Sequence, residues 1–183
     1  YVGPNNKALG EKAYEGIKDI IKPSQKAIYI ETVRLTNGDP LDNGYERINS
    51  IRTLLTNSNV QHQKTLFTNW SRTETYDKLL KELRTNGPVD YIITPSQETA
   101  EGAVEAVETA GYNQIKIISL DFTDKTYKLI KQEKLYAAIS QNFLSQAEVL
   151  SSNVEEKLEG EHLFVGEFIT KNKLTEENKD LFW

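Results

Sequence analysis

The chain has 183 residues, no Cys and no Met, and a formal net charge of −5. That length suits one well-buried domain. The mild, scattered acidity argues against a general nucleic-acid footprint, which would show a basic face, and no run approaches the ~18 apolar residues of a membrane span. The lack of Cys removes disulfides, Cys-based zinc sites and thiol nucleophiles together, and a start at Tyr1 instead of Met reads as a chain processed or excised from something larger.

Helical and strand-like periodicities alternate along the chain. Asn5 and Asn6 can cap a helix whose apolar positions Ala8 or Leu9, Ala13, Ile17, Ile20 and Ile21 recur at three- and four-residue steps, with Pro23 as its stop. Ala27–Ile30 is short and continuous enough for a buried strand. The Gly, Asn and Asp residues between Asn37 and Gly44 read as a loop, which leads into a helix carrying Ile48, Ile51, Leu54 and Leu55 on one face. The cycle then repeats. Val60–Phe67 is a strand candidate, and Thr73–Leu83 a helix ended by Asn86-Gly87-Pro88. Val89–Ile93 is a strand, Gln97–Ala110 a helix stopped by Gly111, and Ile115–Leu120 a strand. Thr123–Lys131 is a short helix capped by Thr123 or Asp124, Tyr136–Ile139 a strand, Leu144–Leu158 a helix, and Leu163–Ile169 a last apolar segment. Strands separated by helices predict a three-layer α/β/α fold around a mainly parallel sheet. The charged tail Lys171–Trp183 ends in Leu181-Phe182-Trp183, aromatics that make most sense docked on something.

In an open parallel sheet, ligands bind beyond the carboxyl ends of the strands. Those positions hold Glu31 and Thr32, then Asn69 and Trp70, then Thr94 and Ser96, then Asp121, and finally Gln141 with Asn142. Carboxylate, amide, hydroxyl and indole together suit a neutral polyhydroxylated ligand: Asp and Gln exchange hydrogen bonds with hydroxyls while an indole covers the apolar face of a sugar ring. Plainer roles compete at each position. Trp70 as packing, Ser96 as the cap of the helix that follows, Asp121 as a cap, and Gln141 or Asn142 as caps are all ordinary. Catalytic signals are weak. His62 and His162 fall near strand starts, at the opposite edge, and no nucleophile elbow, zincin, calcium-loop or phosphate-loop motif is present. Neither a metal nor a cofactor is expected. The carboxylates Glu155, Glu156, Glu159 and Glu161 read as a solvated helix face, and Asn69-Trp70-Ser71 formally matches a glycosylation acceptor.

Several segments resemble the type I periplasmic sugar-binding proteins, the ribose-binding-protein-like group. Tyr1–Gly10 resembles the family's hinge crossing and first C-lobe helix, and Asn69-Trp70-Ser71-Arg72 its aromatic strand end. Ala100-Glu101-Gly102-Ala103 is similar to its Ala-x-Gly-Ala helix, Ile118–Thr123 to its Gly-Phe-Asp segment, and Ala138–Asn142 to its Gln-containing strand end. The order and spacing of these segments run through essentially all 183 residues. The resemblance implies a C-terminal lobe over residues 1–170, a segment 171–183 returning toward an N-terminal lobe that lies upstream, and flytrap closure of the two lobes around ligand. It implies Trp70 as the stacking aromatic, Asp121 as the carboxylate that holds sugar hydroxyls, and Gln141 as the polar residue near the hinge. Ser96 stands where the family often has Asn, and Tyr45 where a ligand-pairing Arg often begins the second helix, while Arg47 matches a second, more structural Arg. Losing an Arg fork and an amide removes several directed hydrogen bonds and points to a ligand other than an ordinary pentose or hexose.

The leading expectation is a non-enzymatic domain that binds a small polar ligand, a sugar by this reading. It would feed a membrane transporter or a sensor kinase from outside the cytoplasm, with no nucleic-acid contact of its own. The alternative is the effector domain of a LacI-type regulator, which would be cytoplasmic; Lys22–Lys26 lacks the Gly-His pattern usual there. A doubly wound α/β enzyme rests on fold analogy alone, because no glycine-rich loop follows the first strand. A lobe that binds another protein and no small molecule is the remaining reading.

Overall fold

The computed structural model describes residues 4–32, 43–141 and 167–170. In chain order the elements are α1 (Asn6–Ile17), β1 (Lys26–Glu31), α2 (Asn43–Asn57), β2 (Gln61–Phe67), α3 (Arg72–Asn86), β3 (Tyr91–Thr94), α4 (Gln97–Ala110), β4 (Lys116–Ser119), α5 (Asp124–Lys131), β5 (Ala137–Ser140) and β6 (Glu167–Thr170). The predicted helix 144–158, most of the 37–44 loop, Asn142, His162 and the 171–183 tail lie outside the described residues.

Local chemistry sets the boundaries. Asn5 caps α1 by accepting from the Ala8 amide, Ser71 caps α3 through the Glu74 amide, and Ser96 and Thr123 open α4 and α5 with reciprocal capping boxes to Thr99 and Thr126. Gly111, at φ +77°, ends α4 in the left-handed conformation that side chains resist.

The sheet order is β2-β1-β3-β4-β5-β6. The first five strands are parallel, with Ile28 opposite Ile92 and Ile118 opposite Ala137. The chain leaves β1 toward β2 and then returns past β1 to β3, so right-handed crossovers place α1 and α2 on one face and α3, α4 and α5 on the other. Strand alternation feeds both layers. Ile28, Ile30 and Ile92 pack under α3 and α4, while Ala27, Tyr29, Tyr91 and Ile93 pack under α1 and α2. In each layer one glycine lets two helices touch: a Cβ on Gly102 would lie 2.3 Å from the Arg72 carbonyl oxygen, and one on Gly10 would lie 2.4 Å from that of Arg47.

The sixth strand departs from the repeated βα scheme. β6 runs antiparallel to β5, Ser140 facing Glu167 and Ala137 facing Thr170. An apolar run has no direction in its periodicity, and antiparallel edge strands on parallel sheets are common.

Candidate functional site

At the carboxyl end of β4 the chain turns on a local hydrogen bond, Ser119 Oγ donating to the Asp121 carbonyl at 2.9 Å. Thr123 takes the capping role of α5, so the Asp121 carboxylate is left for other work. It accepts from Gln141 Nε2 at 2.7 Å, just past the end of β5, and from the backbone N–H of Gln97, the first residue of α4. The positive end of that helix favours a negative charge. Burial nevertheless pushes the Asp121 carboxyl above its ordinary range; Gln141, the Arg47 charge and the Gln97 amide oppose this, and Glu98 reinforces it.

Behind this pair stands Arg47, in the second turn of α2 and only 6% exposed. Its Nη2 donates to Gln141 Oε1 at 3.0 Å, its Nε to Asn6 Oδ1 at 2.5 Å, and its Nη1 reaches the Leu120 carbonyl at 3.5 Å. One guanidinium therefore links α1, the β4 end and the β5 end. This agrees with the more structural part that the family resemblance implies for Arg47, and the bond to Gln141 ties it directly to the carboxyl edge. The signal was there: Arg47, Ile51 and Leu55 fall at four-residue steps, so the arginine sits on the inward stripe of α2.

At the other end of the same edge, Thr68 and Asn69 extend the β1–β2 pairing, their amides donating to the carbonyls of Glu31 and Thr32 at 2.9 and 2.6 Å. Asn69 and Trp70 then both adopt positive φ, 47° and 60°. For a residue as bulky as Trp this is an uncommon, strained conformation. The turn leaves the indole 37% exposed, the one large hydrophobic side chain so exposed among the described residues. With β1 and β3 between β2 and β4, Trp70 stands about 14 Å along the edge from Asp121 at ordinary strand spacing.

The remaining candidates have structural partners. Ser96 is buried and spends its hydroxyl on the Thr99 amide as the cap of α4. Tyr45 lies beside the Arg52 guanidinium, 5.9 Å from its ring centre, and lines a shallow groove with Lys7, Glu11, Asn49 and Thr53 on the outer side of α1 and α2. Glu31 is held in a part-buried 2.5 Å ion pair with Arg52, and Thr94 donates to the Ile118 carbonyl at 3.3 Å. His62 lies at the start of β2, edge-on to Tyr29, on the opposite side of the sheet from the carboxyl ends. No group of three or more His, Cys, Asp or Glu side chains suited to a metal occurs among the described residues.

The structure brings Asp121, Gln141 and Arg47 together and sets Trp70 apart on the same edge. An ionised carboxylate can only accept hydrogen bonds, so this end of the edge suits a ligand that donates them.

Solved structures similar to the chain include ABC-transporter solute-binding proteins. An ABC-transporter periplasmic solute-binding protein from Actinobacillus succinogenes, with bound D-allose, is 20% identical; the match covers 94% of this chain and 61% of that one at a TM-score of 0.81. A solute-binding protein from Bacillus halodurans with bound myo-inositol is 14% identical, with 100% and 63% covered and a TM-score of 0.81. A XylFII-LytSN complex is 24% identical, with 95% and 63% covered and a TM-score of 0.79. The chain thus spans just over three fifths of the length of these proteins, and at such identities the likeness establishes the fold. Residues 1–162 match the family model for the periplasmic binding protein domain, and the chain belongs to that family.

Proposed function

We propose that this chain is one lobe of a two-lobed, non-enzymatic binding protein for a small polar ligand, a sugar or sugar-like polyol, that serves a membrane transporter or sensor kinase outside the cytoplasm. In this reading residues 1–170 form the lobe, residues 171–183 return toward an upstream N-terminal lobe, and Trp70, Asp121 and Gln141 line one wall of the cleft. The observation that carries it is the contact of Asp121 with Gln141 at the carboxyl edge, 2.7 Å apart and backed by a buried guanidinium. The D-allose and myo-inositol bound by two similar proteins, and the complexed state of a third, support both the ligand class and the output. Selectivity would lie in the cleft, and the signal in the ligand's preference for the closed arrangement of the lobes.

The test is calorimetry on the protein carrying both lobes against D-allose, D-fucose, D-xylose and myo-inositol, with an amino acid and a nucleotide as controls. Saturable binding of at least one sugar or polyol at a Kd below about 1 mM is expected. Binding of none of them, or of the nucleotide alone, would overturn the reading.

A further inference from the structure

The geometry points to Arg47 as a positioning residue that fixes the orientation of the Gln141 amide, and through it keeps Asp121 an acceptor that selects ligand groups able to donate a hydrogen bond. The consequence for ligand rests on the reading above; the orientation itself does not.

A Gln side chain offers an oxygen at one end and an NH2 at the other, and nothing in its shape decides which faces where. Here both ends meet partners of a single kind. Arg47 carries donors only, and its Nη2 lies 3.0 Å from Oε1. Asp121, when ionised, carries acceptors only, and lies 2.7 Å from Nε2. A flipped amide would set NH2 against guanidinium and oxygen against carboxylate, losing both bonds and adding two repulsive contacts. Arg47 cannot readily rotate to allow the flip, because Nε is bonded to Asn6 in the first turn of α1 and Nη1 reaches toward the Leu120 carbonyl. The planar fork thus carries the position of α1 to the β4 and β5 ends. A donor beside Asp121 favours the carboxylate form, which can only accept from a ligand. The chemical class selected is a hydroxyl or amine hydrogen at that point; an ether oxygen or a carboxylate is refused.

Arg47→Lys and Arg47→Met test this in the 183-residue chain by NMR, without ligand. The readouts are solvent exchange of the Gln141 side-chain amide hydrogens and the acid titration of the Asp121 carboxyl carbon. Lys keeps the charge and loses the fork. Exchange at Gln141 is expected to quicken about tenfold in Arg47→Lys, the factor one ordinary hydrogen bond supplies, and Arg47→Met should in addition move the Asp121 midpoint upward. Should Arg47→Met fail to fold, Arg47→Lys decides alone. Gln141 exchange within twofold of the parent in Arg47→Lys overturns the inference. If the amide loosens as expected yet no sugar or polyol binds the two-lobed protein, the functional reading falls and the positioning role stands; if a sugar binds and the amide does not loosen, the reverse holds.

Discussion

The two ends of the carboxyl edge are each served by an arginine, and the two arginines work in opposite ways. Arg72, in the first turn of α3 beside Trp70, pairs with two carboxylates of α4, Glu101 at 3.1 Å and Glu105, yet its side chain is 51% exposed. Arg47, beside Asp121, is buried, and among the described residues it donates to the amide oxygens of Asn6 and Gln141 and reaches the Leu120 carbonyl. Counted by the ion pairs among the described residues, Arg72 ranks first. Solvent screening and side-chain entropy reduce exposed pairs to little, whereas a buried polar network leaves costly orphans wherever it is broken. The β4–β5 end is therefore a rigid, preorganised surface, and the β2 end is an exposed aromatic on a strained turn. Affinity at the first depends on placement and at the second on contact area.

The largest expected effect is at Asp121. Asp121→Ala should weaken ligand binding by about 1.5–3 kcal/mol, the scale of a hydrogen bond to a charged group, as read by calorimetry on the two-lobed protein. Asp121→Asn separates this from stability. Burial raises the folded carboxyl above its unfolded value, so as pH climbs the unfolded chain ionises first and the parent loses stability until the folded group has ionised as well. An amide does not titrate. Asp121→Asn should therefore gain thermal stability relative to the parent at pH 7, and the gain should disappear in acid, below both midpoints. A variant that compares worse at pH 7 than at pH 3 would mean that the network outweighs burial at this carboxylate.

At the aromatic end, stability and binding should part company through the backbone. Trp70→Gly removes the stacking face and also relieves the left-handed strain at φ 60°. Affinity should fall by about 0.5–1.5 kcal/mol, the worth of an aromatic contact, while unfolding in urea should show a gain of about 0.5–1 kcal/mol, the usual benefit of matching glycine to a positive φ. Equal losses in both measurements would make Trp70 a packing residue, and the contrast between the two ends would vanish.

Much of this arrangement is legible in the residues, for definite reasons. The alternation of three-to-four and two-residue periods gives the layers, and the strand-end rule gives the edge on which Trp70, Asp121 and Gln141 stand. The capping role of Ser96 is equally readable, since Ser before a helix with a hydroxyl three residues on is a local pattern. Direction is a different matter: Phe168 and Ile169 mark a strand, but which way β6 runs depends on a partner strand, not on its own sequence. The positive φ of Trp70 has no signature either, because it is imposed by the turn between the β2 ladder and the Ser71 cap. Arg47 lies between these cases. A charged residue on a buried helix stripe announces that a polar partner must exist, yet that partner, Gln141, is 94 positions away, and only the closed fold supplies it.

The smallest effect tests the comparison most directly. In Arg72→Ala the Glu101 and Glu105 pairs are lost, but Lys125 remains 3.4 Å from Glu101, and the backbone carbonyl that Gly102 accommodates is untouched. Glu105, 42% exposed, is left to water, and Glu101, only 11% exposed, keeps Lys125 and the Gln97 side-chain amide as partners, so no buried carboxylate is orphaned. The cost by chemical unfolding should be about 0–1 kcal/mol, and should shrink further in 1 M salt, where the screening length falls to about 3 Å. A loss several-fold larger, or one indifferent to salt, would show that the α3–α4 ion pairs hold the two helices together in their own right. The short, two-carboxylate bridge at the β2 end would then rank with the buried network at Arg47, and burial would cease to be what separates the two ends of the edge.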